Sequence, residues 1–205
     1  MLDTLKITKF LEKIAAGTAV PGGGSVAALN AALAASLTEM VANLTIGKKG
    51  YEAAEKDMRE ITARASEFRK KLAKDIDNDA AAYNEVLKAF KMAKNTEKEI
   101  DRRNKAIQDG FKNAAVVPLG VARDALKIME LIGKVVRKGN KNAAIDGAVG
   151  ALAARAAVKG ALCNVKTNLN FIDDHKFVKE VTQEVEMLER QVEKKEKEIL
   201  SHVDI

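Results

Sequence analysis

The chain has no tryptophan, one cysteine, two prolines and two histidines in 205 residues, and aromatic side chains make up only 4 % of it. The lone cysteine, Cys163, excludes an internal disulfide framework and suits a reducing compartment, so a cytoplasmic location is expected. No long apolar region lies between Met1 and Leu11, which argues against a secretory signal. His175 and His202 are far apart in the sequence, Cys163 has no base near it, and Ser25 lacks the strand-turn-helix context of a nucleophile elbow. Neither a metal site nor a nucleophilic triad is expected, and no cofactor. The scarcity of aromatics also bears on the net charge of +6. The basic residues are scattered among Glu and Asp with few rings to stack on bases, so the pattern excludes a nucleic-acid stripe and suits a small anionic ligand.

What is present is Ala, Leu, Lys and Glu in abundance, with 47 % apolar residues and few helix breakers. This composition points to an all-α protein, a single-domain bundle of long antiparallel helices spanning residues 1–205. At its centre stands Pro21-Gly22-Gly23-Gly24-Ser25, followed by the apolar run Val26 to Ile46. Three glycines free the backbone for unusual angles or close approach. The alanine-rich run behind them predicts a helix, whose N-terminus favours an anion. The stretch fits neither the Walker A nor the Rossmann spacing. The run is long enough to cross a bilayer, but Asn30, Thr38, Glu39 and Asn43 interrupt it, so a helix buried inside protein is expected rather than a membrane span.

Apolar spacing predicts a short amphipathic helix over 3–16, with Leu5, Ile7, Phe10, Leu11 and Ile14 as its apolar set. Gly47-Lys48-Lys49-Gly50 should end the apolar helix. A long helix follows from about Glu52 to Met92. Thr96 with Glu99 forms a capping box that starts the next helix, which Pro118 should kink or split. Leu119 to Val136 continues as an amphipathic segment closed by Gly139-Asn140. Asn142 to about Asn168 forms a helix rich in Ala and Gly, and Asp173-Asp174 caps the last one. There Val178, Val181, Val185, Leu188, Val192, Ile199 and Val203 make a seam for a partner helix, within the bundle or across a dimer.

Polar residues on apolar faces mark candidate chemistry. With about 100° per residue and Leu72 at zero, Ile76 lies at ~40°, Tyr83 at ~20°, Phe90 at ~0° and Asp79 at ~340°, in the middle of the apolar face. Asp75 falls at its edge and Asp77 points away as a solvated charge. A carboxylate on a buried face is costly unless paired, hydrogen-bonded or protonated, which makes Asp79 either a structural cap or a functional acid. In the later helix, Asp146, Gly150, Ala153, Ala157, Gly160, Asn164 and Asn168 share one stripe, as close helix packing requires. Asp146 and Asn164 are roughly 27 Å apart along one helix and cannot address the same atom.

Several motifs in order carry a resemblance. Pro21-Gly-Gly-Gly-Ser25, Val41-Ala-Asn-Leu-Thr-Ile-Gly-Lys-Lys49 with Tyr51, Asp77-Asn-Asp79 ahead of Tyr83, Lys94-Asn95-Thr96, Asp101-Arg102-Arg103, Val117-Pro118-Leu119, Gly139-Asn140, Asp146, Asn164-Val165 and Asn168-Leu169 resemble the cyclodeaminase domain of formiminotransferase-cyclodeaminase over nearly the whole chain. Ile145 departs from the pattern, standing where a small polar residue is expected, and Glu97 stands where relatives often have proline. The resemblance implies an all-α homodimer that converts 5-formiminotetrahydrofolate to 5,10-methenyltetrahydrofolate and ammonia, without the fused transferase domain and with a folate substrate that carries one or several glutamates. Asp79 is the implied catalytic acid. The substrate-binding set that goes with it is Gly22, Gly23, Gly24, Ser25, Asn43, Lys48, Asn140, Asp146, Asn164 and Asn168. A methenyltetrahydrofolate cyclohydrolase on the same scaffold is the near alternative, and a non-enzymatic helical interaction protein the distant one.

Overall fold

The computed structural model describes residues 1–203, and helices account for most of them: α1 (Ile7–Ala15), α2 (Gly23–Asn43), α3 (Glu55–Phe90), α4 (Glu97–Lys138), α5 (Ala144–Leu169) and α6 (His175–Leu200). No strand occurs among the described residues. Single 3-10 turns, Glu52–Ala54 and Lys141–Ala143, lead into α3 and α5. Thr96 and Glu99 complete the capping box at the start of α4, and the Asp174 carboxylate caps α6 by accepting from the N–H of Phe177. Gly47 and Gly50, at φ of 72° and 90°, turn the chain after α2. Gly22 to Gly24 need no positive φ; Gly22 is an extended N-cap and Gly23 and Gly24 are already the first helical residues.

α2 lies at the centre, against α3, α4 and α5. It runs antiparallel to α5: a Cβ on Gly160 would sit 3.5 Å from that of Ala27, and one on Gly150 would sit 3.5 Å from that of Leu37. The small stripe of α5 thus lets the two helices approach closely. Ala28, Ala31, Ala34 and Ala35 of α2 and Ala151, Ala154, Ala157 and Ala161 of α5 are completely buried. A smaller apolar cluster of Val41, Met58, Ile61, Leu131 and Val135 closes the bundle at the far end of α2.

The structure decides two readings left open and corrects two expectations. α4 is not split at Pro118 but runs unbroken through it. The apolar stripe of α6 is used inside this chain, because Val181, Val185, Leu188, Val192 and Ile199 are buried against α4 and α5. Ion pairs flank it on both sides, Arg123–Glu184 and Arg137–Glu198 toward α4, Arg155–Glu196 and Lys166–Glu189 toward α5. In the N-terminal helix, Phe10 is buried but Ile7 and Leu11 are exposed. Finally, α2 is not buried all round: Leu33, Met40 and Leu44 are exposed along one side. By length and composition α2 and the α5 segment would both pass as membrane spans, yet about half of each lies inside the protein.

Candidate active site

The N-terminus of α2, the middle of α3 and the C-terminal part of α5 converge on a cleft of about 210 Å³. Gly22, Gly23, Gly24, Asp79, Tyr83, Asn164, Thr167 and Asn168 line it. Asp79 is half-buried and turned toward the first turn of α2. A Cβ on Gly24 would overlap Oδ1 of Asp79 and come within 2.5 Å of its Cγ, so only glycine lets the carboxyl lie there. The close approach that the glycine run provides at this point is therefore to Asp79. At Gly23 a Cβ would meet Nδ2 of Asn164 at 3.4 Å, an ordinary contact, and would project into the cleft.

Ser25 is completely buried, with its Oγ 3.0 Å from the Ile76 carbonyl and 3.1 Å from Oδ2 of Asp79. One hydroxyl has one proton to donate. When Asp79 is ionised, Ser25 can donate to it. When Asp79 is protonated, the carboxyl donates to Ser25 and Ser25 donates to Ile76. Both states of Asp79 are therefore accommodated without moving a heavy atom. Burial pushes the Asp79 pKa above the ordinary carboxylate value, and the hydroxyl and backbone N–H of Ser25 offset only part of that. No cation pairs with Asp79 among the described residues. A carboxyl with a raised pKa in a cleft, exchanging a proton without losing its partner, suits general acid–base work.

Asn164 and Asn168 hold the α5 side. Nδ2 of Asn164 donates to the Gly160 carbonyl at 2.8 Å. Nδ2 of Asn168 donates to the carbonyls of Ala114 at 2.8 Å and Asn164 at 3.0 Å, leaving its Oδ1 as the atom to meet a ligand. The other carboxylates of α3 serve the fold. Asp77 is not simply solvated: it binds the N–H groups of Leu2 and Asp3 and anchors the N-terminal segment. Burial would raise its pKa, but these N–H groups outweigh that and hold it low. Asp75 is buried and shares Lys71 with Asp124 beside a larger open groove between α3 and α4. Its charge is already matched, which makes the smaller cleft the better seat for chemistry.

The remaining residues of the expected set do not join this cleft. Asn43 lies at the last residue of α2, roughly 30 Å along the helix from Gly23. Lys48 and Asn140 are beyond it, joined by a hydrogen bond of 2.8 Å. Asn140 is buried, donates its backbone N–H to the Thr45 hydroxyl and its side-chain Nδ2 to the Leu44 carbonyl, so it clasps the α4–α5 connection to the end of α2. Asn43 accepts from Thr62. Asp146 sits in the first turn of α5, at this same end. Tyr83 and Thr167 are cleft residues outside the expected set. Tyr83 was legible, since it lies one turn beyond Asp79 on the same face. Among the described residues, no group of three metal-ligating side chains gathers anywhere.

Known proteins resemble this chain in sequence, and one solved structure shares its fold. A family model described as formiminotransferase-cyclodeaminase matches residues 6–187. A methenyltetrahydrofolate cyclohydrolase of Methylorubrum extorquens is 37 % identical over 182 residues, 89 % of this chain and 88 % of that protein. The formimidoyltransferase-cyclodeaminase of Mus musculus is 36 % identical over 177 residues, 86 % of this chain but only 32 % of its own length. The crystal structure of formiminotetrahydrofolate cyclodeaminase from Thermotoga maritima shares the fold with a TM-score of 0.89 at 33 % identity, covering 99 % of this chain and 98 % of that one.

Proposed function

The chain belongs to the formiminotransferase-cyclodeaminase family, and from that premise we propose that it is an enzyme of folate one-carbon metabolism acting as a formimidoyltetrahydrofolate cyclodeaminase. The observation that carries the reading is Asp79, a carboxyl with no cation against it and a raised pKa, held in a cleft by Gly24 and Ser25. In the reaction, N10 of 5-formiminotetrahydrofolate attacks the formimino carbon bonded to N5. The formimino group enters as its protonated amidinium, so the tetrahedral intermediate loses the N10 proton and its amino nitrogen gains one proton and departs as ammonia. The C–N10 bond formed replaces the C–NH₂ bond broken, and 5,10-methenyltetrahydrofolate remains as a cation. Asp79 takes the proton from N10 and returns one to the leaving nitrogen. Its carboxylate form then faces the developing positive charge of the product. Tyr83 and the Oδ1 of Asn168 flank that position. No cofactor enters this balance.

The relative from Methylorubrum extorquens supports a second reading, methenyltetrahydrofolate cyclohydrolase, because this chain matches it over nearly its full length. There the same carboxyl deprotonates water that adds to the same bridging carbon. Absorbance of methenyltetrahydrofolate separates the two: formation from the 5-formimino substrate supports the cyclodeaminase, and hydrolytic loss of added methenyltetrahydrofolate without the forward reaction supports the cyclohydrolase. A protein that does neither and binds no folate is not an enzyme of this class.

A further inference from the structure

The cleft is an exception to the charge of the chain. The net charge is +6, yet none of the described residues lining the cleft is a lysine or arginine, and Asp79 and Tyr83 are the only ionisable ones. The positive end of α2 borders it, but Asp79 meets that end, its carboxyl taking the hydroxyl and the backbone N–H of Ser25. What remains for a ligand on the α5 side is mostly acceptors. Thr167 donates its hydroxyl to the Cys163 carbonyl at 3.0 Å, so its Oγ1 is left to accept. Asn164 spends one N–H on Gly160 and keeps the other beside its Oδ1. Asn168 has no N–H to spare, since both go to backbone carbonyls.

The orientation of that amide is forced. Nδ2 of Asn168 lies 2.8 Å from the Ala114 carbonyl and 3.0 Å from the Asn164 carbonyl. Exchanging its oxygen and nitrogen would set Oδ1 against two carbonyl oxygens. No backbone N–H four residues on competes for the Ala114 carbonyl, because that residue is Pro118. Asn168 is therefore locked as an acceptor at the cleft wall. An N–H or a positive charge against its Oδ1 is favoured, and a carbonyl oxygen there is repelled. The folates of the proposed function divide along this line. The protonated formimino group carries N–H donors and a positive charge, and the methenyl bridge carries a positive charge. The 5-formyl folate puts a neutral carbonyl oxygen where the formimino nitrogen stands. We propose that Asn168 is a specificity-determining residue, selecting a folate with positive charge on its one-carbon unit over the 5-formyl form. This selection rests on the folate reading of the cleft and is the same for the cyclodeaminase and the cyclohydrolase.

Two constants read the selection: KM for whichever cationic folate the wild type turns over, and Ki of 5-formyltetrahydrofolate against that turnover. In wild type Ki should exceed KM by about ten- to a hundredfold, the worth of a hydrogen bond to a charged group. Asn168→Ala, its fold checked by circular dichroism, should raise KM by about that factor and leave Ki unchanged or lower. Pro118 is not a cleft residue. Pro118→Ala returns an N–H to the Ala114 carbonyl and frees the Asn168 amide to turn its Nδ2 toward the ligand. There Ki should fall and the ratio of Ki to KM shrink about tenfold. If Asn168→Ala does not fold, this second variant decides, and an unmoved ratio overturns the selection. Equal changes of KM and Ki in a folded Asn168→Ala overturn it too, because they leave Asn168 only to shape the cleft. A wild type that turns over a cationic folate with Ki equal to KM overturns the selection and leaves the functional reading standing. A wild type that turns over neither folate overturns the functional reading, and the selection falls with it.

Discussion

Asn168 occupies the gap that Pro118 leaves. Proline has no N–H, so the carbonyl four residues earlier, that of Ala114, loses its helical partner. The Asn168 side chain reaches across from α5 and donates to that carbonyl at 2.8 Å. This bond is the reason α4 passes a proline without breaking, and it also fixes the amide that borders the cleft.

The coupling can be measured. Asn168→Ala leaves the Ala114 carbonyl unpaired in a partly buried place and should cost about 1–3 kcal/mol. In a Pro118→Ala background the restored N–H satisfies that carbonyl, so the same substitution should cost about 1 kcal/mol less. Urea melts of the four proteins give the cycle; additive effects would show that the bond does not serve Pro118.

Helix periodicity made most of the architecture legible, because long amphipathic segments with caps such as Thr96 and Asp174 leave few alternatives. It also set Asp79 on the right face. Pro118 left open whether α4 would bend or break, because its remedy is 50 residues away on another helix, and no local pattern carries that. The role of Gly24 was hidden for the same reason: glycine reads as loop flexibility, whereas here it is a helical residue whose missing Cβ makes room for Asp79. The resemblance grouped Lys48 and Asn140 with the cleft residues, but the length of α2 keeps them apart. The exposed side of α2, with Leu33 and Met40, defeated the hydropathy reading, since Leu and Ala count alike when the question is only whether a helix is apolar.

The two neighbouring glycines should behave differently. Gly24→Ala forces the Asp79 carboxyl from its seat and, as overpacking, should cost about 1–3 kcal/mol. Its kcat should fall by about 10²-fold or more, as for loss of a positioned acid. Gly23→Ala meets only an ordinary contact and adds a better helix former, so stability should hold or rise by up to about 1 kcal/mol. Its effect should appear mainly in KM, because the methyl projects into the cleft. Equal losses of kcat in both variants would detach Gly24 from the placing of Asp79.

Ser25→Ala removes the hydroxyl that helps hold the Asp79 charge. Without it the carboxyl rises further above the ordinary range, since that bond was lowering it. The limb of the kcat/KM profile that reports Asp79 should move to higher pH, with a stability loss of about 1 kcal/mol for the buried hydrogen bonds. Ser25→Thr keeps the hydroxyl and should keep the limb in place if the extra methyl fits. A pH profile unmoved in Ser25→Ala would leave Ser25 with a packing role alone.

Asp79→Asn separates catalysis from stability. The amide preserves shape but transfers no proton, so kcat should fall by about 10²- to 10⁴-fold while folate binding changes less. Stability should move the other way. Burial raises the folded-state pKa of Asp79 above its ordinary value of 3.8. The fold therefore favours the protonated carboxyl, a contribution complete below that ordinary value and lost as pH climbs through the raised one. Wild type loses this stability on passing from acid to neutral pH, and Asp79→Asn does not. At pH 7 the variant should melt at or above wild type, and the gap should narrow on acidification to about pH 4. A cation hidden against Asp79 would reverse the sign, with the variant destabilised most at neutral pH and activity loss tracking unfolding. Because no such cation lies beside Asp79 among the described residues, melts at the two pH values and single-turnover rates on the same preparation decide whether the carboxyl is there for chemistry or for the fold.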